Sequence, residues 1–70
     1  MEKREYYPIF DQQVAGMLMT MRYRLVTARP DKNDVTKNIF FFDKTENLIK
    51  ESIRLRNYKI EVENYINNIK

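Results

Sequence analysis

Seventy residues without a single Cys or His leave room for one domain and exclude a disulfide framework, a thiolate nucleophile, the commonest metal ligand and the commonest general base. With 43% hydrophobic and 33% charged residues, the composition is that of a folded domain rather than a disordered tail. The net charge of +3 is thinner than the one-sided excess carried by most nucleic-acid binders.

In chain order, Tyr6-Tyr7-Pro8-Ile9-Phe10 is aromatic and β-branched and predicts a first strand. Pro8 has no N–H to give a ladder, which confines that strand to a sheet edge. Asp11 follows as the N-cap of a helix on which Val14, Ala15, Met17, Leu18 and Met21 share one face. Gly16 costs that helix about 1 kcal/mol relative to Ala. Its expected compensation is a close approach of the helix to the sheet. From Tyr23 to Arg29 the period changes to two, with Tyr23, Leu25 and Thr27 on one face and Arg24, Val26 and Ala28 on the other. Pro30 ends this strand, and a loop built on Asp31-Lys32-Asn33-Asp34 runs to about Lys37.

Ile39-Phe40-Phe41-Phe42 then shows no alternation at all. A strand with one wet face alternates, so both faces of this one are expected to be covered by protein or offered to a partner. Phe40 and Phe42 fill one side of the core, while Ile39 and Phe41 meet a helix or a second subunit. It pairs antiparallel with the strand before it. Asp43 or Thr45 caps a second helix, in which Leu48, Leu55, Val62 and Ile69 recur every seven residues, with Tyr58 and Tyr65 widening the stripe. No Gly or Pro interrupts 45–70, which predicts one long helix, with Asn57 the place for a break and a strand at Tyr58–Val62 the competing reading. The predicted fold class is therefore α+β, in the order β-α-β-β-α: a small three-stranded sheet with two helices, the C-terminal one long. The core is expected over 6–56 and a helical extension over 57–70, within a single domain.

The search for chemistry finds little. There is no Gly-rich phosphate cradle and no nucleophile elbow, and the only Ser, Ser52, falls mid-helix. The segment Asp31–Val35 lacks the Gly and the distal Glu of a calcium loop. An enzyme, a cofactor and a metal are accordingly not expected. No apolar run approaches the roughly 18 residues of a bilayer span, and the first residues have no apolar signal region, so a cytoplasmic protein without a membrane partner is expected.

A helix of this predicted length overhangs so small a sheet. The overhang predicts a protein partner, either a homodimer or a host protein, on a surface formed by Phe40, Phe42, Leu55, Tyr58, Val62 and Tyr65. The alternative is a small nucleic-acid-binding protein that sets Lys3, Arg4, Arg22 and Arg24 against phosphates. Acidic residues interleave with the cations over most of the chain, and Phe is more often core than a stacking platform, so protein binding is the preferred reading.

The run Phe10-Asp11-Gln12-Gln13-Val14-Ala15-Gly16-Met17-Leu18-Met19, then Tyr23-Arg24-Leu25, Pro30-Asp31-Lys32-Asn33, Asn38-Ile39-Phe40-Phe41-Phe42 and Thr45-Glu46, resembles a small uncharacterised domain family. That family occurs in Gram-positive bacteria, their phages and mobile elements. The likeness covers about residues 6–56. It departs at Arg22, where the family often has Gly, and in the length of helix after Asn57. The resemblance implies a mobile-element origin and no established activity, and it supplies no catalytic residues. Since small elements of this kind often inhibit or redirect host machinery, including defence systems, such a role is the expectation here.

Overall fold

The computed structural model describes residues 4–69 and has the predicted α+β order. Strand β1 (Tyr6–Ile9) leads into helix α1 (Gln12–Thr20), strands β2 (Leu25–Pro30) and β3 (Asn38–Asp43), and helix α2 (Glu46–Ile69). The strand order is β1-β3-β2 and both pairings are antiparallel, so the phenylalanine-rich strand lies in the middle. A central position pairs its backbone along both edges but covers neither face, so it does not by itself account for the unbroken apolar run.

Each local choice has a visible cause. The Lys44 N–H donates to the Glu5 carbonyl at 3.0 Å, which puts Glu5, Tyr7 and Ile9 in hydrogen-bonded register with β3. Pro8 falls between them, at the position whose missing N–H would point off the sheet. Asp11 caps α1 by accepting from the N–H groups of Gln13 at 2.9 Å and Val14 at 3.3 Å. The helix ends in a Schellman motif: the Tyr23 N–H donates to Leu18 O and the Arg22 N–H to Met19 O, with Arg22 left-handed at φ 70°. Thr45 caps α2 by accepting from the Leu48 N–H at 3.1 Å. The loop 31–37 is tied by Asp31, which accepts from the Asn33 N–H, and by Asp34, which accepts from both the N–H and the hydroxyl of Thr36.

The core is one cluster of Ile9, Val14, Ala15, Leu18, Phe42, Leu48 and Leu55, with Tyr7, Met17, Tyr23, Leu25 and Phe40 against it. Opposed residues of an antiparallel pair project to the same face, and the register opposes Tyr7 and Leu25 to Phe42 and Ile9 to Phe40. All five sheet residues of the cluster therefore lie on one face. Both helices pack on that face.

Two expectations need correction, and the long second helix holds. The alternation read over Tyr23–Arg29 fails because β2 begins only at Leu25 and is bulged between Leu25 and Thr27. The extra residue, Val26, resets the phase, so that Ala28 joins Leu25 on the helix side and Thr27 turns away with Phe41. Gly16 does not sit hard against the sheet: a Cβ built there meets nothing within 4 Å. The helix touches its own chain through Val14, Ala15 and Leu18, and at 100° per residue Gly16 falls on the other side. Helix α2 is continuous through Asn57 and Tyr58–Val62, with neither a break nor a strand.

Candidate docking surfaces

The face of the sheet away from the helices carries three short rows. Tyr6 opposes Asp43, with Arg24 beside it through a 3.8 Å ion pair; Pro8 and Thr27 flank Phe41; Arg29 opposes Ile39. Among the described residues, no element covers this face. Phe41 and Ile39 owe their partial burial to their neighbours in the sheet, while Tyr6 is 47% exposed and Val26 37%. The result is an apolar strip centred on Phe41, bordered by an arginine at one end and a charge pair at the other. Apolar centre and polar rim is the pattern of a protein contact patch.

The second surface is α2 itself. Leu48, Ser52, Leu55, Lys59, Val62, Ile66 and Ile69 follow one another at alternating steps of four and three, a single stripe along the helix. Its first three members are buried under the sheet, and the Ser52 hydroxyl is satisfied by donating to Ile49 O at 2.8 Å. Beyond Lys59 the same stripe is bare: Val62 is 37% exposed, Ile66 40% and Ile69 67%. Twenty-four residues make α2 about 36 Å long. That length sets the longest dimension of the molecule, 53 Å against 29 and 17 Å.

Lys59 marks where the stripe leaves the core. Its Nζ donates to Asp11 Oδ2 and lies 3.7 Å from Glu63 Oε1, so that one cation joins the N-cap of α1 to the emerging half of α2. Burial pushes the Asp11 carboxyl up, but the hydrogen bond from Lys59, the Val14 and Gln13 N–H groups and the lysine charge outweigh it and hold the group below the ordinary aspartate value. The same bond to Asp11 raises Lys59, against partial burial and with help from the charges of Asp11 and Glu63. Alongside the clamp, α1 and the emerging α2 form an open groove of about 660 Å³, with Gly16, Met17 and Thr20 on one wall and Tyr58, Val62 and Ile66 on the other.

The residues expected to bind a partner are thus divided. Tyr58, Val62 and Tyr65 are exposed, at 60%, 37% and 65%. Phe42 and Leu55 are not available, because they are core residues at 0% and 8% exposure. Phe40 faces the helices and is half-buried; the phenylalanine on the open face is its neighbour Phe41. Of the basic residues, Lys3 lies outside the described residues and Arg4 is exposed. Arg22 and Arg24 do not form a basic face on β2: Arg22 occupies the turn after α1, and Arg24 precedes the strand and is paired with Asp43. Among the described residues, no cluster of His, Cys, Asp or Glu is arranged to hold a metal ion, and no helix is long and apolar enough to cross a membrane.

The partner surface expected from sequence leaves out Ile39 and Phe41, although the same reading sets them on the face away from Phe40 and Phe42; it misses Gly16 as a groove wall and the Asp11–Lys59 pair. Lys59 did carry a signal: a lone cation inside a seven-residue apolar repeat calls for an acid nearby. Compared with known proteins, the chain matches no protein-family model, no curated protein and no solved structure.

Proposed function

We propose that this chain is a non-enzymatic protein-docking module of the kind carried by phages and mobile elements, which binds a host protein and inhibits or redirects it. The observation that supports this reading is the one-sided sheet. Both helices pack on the Phe42 face, leaving the Phe41 face of a three-stranded sheet without a cover among the described residues. An apolar strip on so small a protein, rimmed by Arg24, Asp43 and Arg29, suits a partner protein. The emerging half of α2 is the second contact surface and serves self-association.

The test is a photo-crosslinking residue placed at position 41 and irradiated in host lysate. The expected result is a discrete adduct that excess unlabelled chain competes away and excess Phe41→Glu chain does not. If no adduct is competed, or if both chains compete equally, the sheet face is not a docking surface.

A further inference from the structure

We infer that the α1–α2 groove is the seat for the emerging half of α2 from a second copy of this chain, each copy filling the other's groove about a two-fold axis. The inference rests on the self-association part of the proposed function and names its geometry. Three observations lead to it. The stripe that builds the core continues past Lys59 with Val62 37%, Ile66 40% and Ile69 67% exposed, so the same kind of side chain that fills the interior projects as a ridge. The groove beside that ridge is open. One molecule therefore carries both halves of a contact, the condition for an isologous pair.

Gly16 supplies the third observation. It lowers the helical propensity of α1, adopts no positive φ, and allows no close contact within its own chain. It forms part of the groove wall, where the missing side chain lets the backbone of another helix come near.

Charge and area agree with a second copy. Helix α1 contains no charged residue, and Lys59 on the facing wall is matched by Asp11 and Glu63. Closing the groove therefore leaves Lys59 paired. Scaled by their exposures, Tyr58, Val62, Tyr65, Ile66 and Ile69 present on the order of 500 Å². With the α1 wall added, the contact approaches the roughly 800 Å² per partner of a stable interface.

The experiment is sedimentation equilibrium on the full chain and on three variants, each checked for native circular dichroism. The wild type is expected to be a dimer, Ile66→Glu a folded monomer, and Phe41→Glu an undiminished dimer. Gly16→Ala separates this seat from every other use of α2. It is expected to raise the melting temperature at dilutions where the chain is monomeric, yet to weaken dimerisation at least tenfold. A monomeric wild type, a dimer indifferent to Ile66→Glu or Gly16→Ala, or a dimer broken by Phe41→Glu would each overturn the assignment. None of these results bears on host binding at the sheet face, which the crosslinking experiment reads separately.

Discussion

Two adjacent phenylalanines with opposite fates give the sharpest test of the register. Phe42 is fully buried between Tyr7 and Leu25 beneath both helices, and replacing it with Ala leaves a cavity that nothing nearby can fill. Such truncations cost about 3–5 kcal/mol. At roughly 0.05–0.15 kcal/mol per residue, a domain of this size has about 3.5–10 kcal/mol of stability in all, so Phe42→Ala should remove from about a third to all of it. Phe41 sits one residue away on the uncovered face, where truncation opens a dent to water rather than a void. Its loss should cost about 1 kcal/mol, roughly half the value of burying such a ring completely. Urea titrations followed by far-ultraviolet circular dichroism measure both, and there is no tryptophan to complicate the choice of probe. If Phe41→Ala costs as much as Phe42→Ala, a second layer covers the sheet and the argument for an open face is wrong.

The Asp11 cap and ion pair should separate under substitution: Asp11→Ala should destabilise by about 1–2 kcal/mol, while Asp11→Asn, which can still cap, should lose less in the same titration. Because the folded-state pKa of Asp11 is depressed, its contribution is present above the unfolded value near 3.9 and disappears as pH falls through the folded one. Lys59 is raised, so its share holds below about 10.4 and is lost as pH rises through its folded value. Thermal melts across pH should show both limbs, and Asp11→Asn should flatten them. Arg22→Gly should stabilise the fold by about 0.5–1 kcal/mol by relieving a left-handed φ that Gly adopts freely; a loss of stability would mean that the arginine side chain contributes more than its backbone costs. In gel shifts at about 50 mM salt, short single- and double-stranded DNA should remain unbound, since Arg24 is already paired; tight, salt-sensitive binding would favour the nucleic-acid reading.

The elements were legible because their signals are local. Asp11 and Thr45 mark helix starts, Pro8 an edge and Asp31–Asp34 a turn, and all four occupy those roles. The surface was read less well. Sequence reading assigns Phe40 and Phe42 both to the core and to the partner surface, because an unbroken apolar run has no phase; pairing with Tyr7 and Leu25 decides for the core. The bulge at Val26 erased the parity that would have carried the answer over from β2. Leu55 and Val62 look alike in the seven-residue series, and only the reach of the sheet separates the buried one from the bare one.

The strand made third occupies the middle of the sheet, and this constrains the order of assembly. Among the described residues, neither β1 nor β2 has any neighbour but β3. The β2–β3 hairpin closes over the short loop 31–37, at small entropic expense, whereas β1 must wait for a partner more than twenty-five positions downstream. A nascent chain leaving the ribosome therefore carries its tyrosine-bearing first segment unpaired until the phenylalanines have emerged. Local hairpin closure, followed by late docking of the leading edge, is the folding route this topology favours.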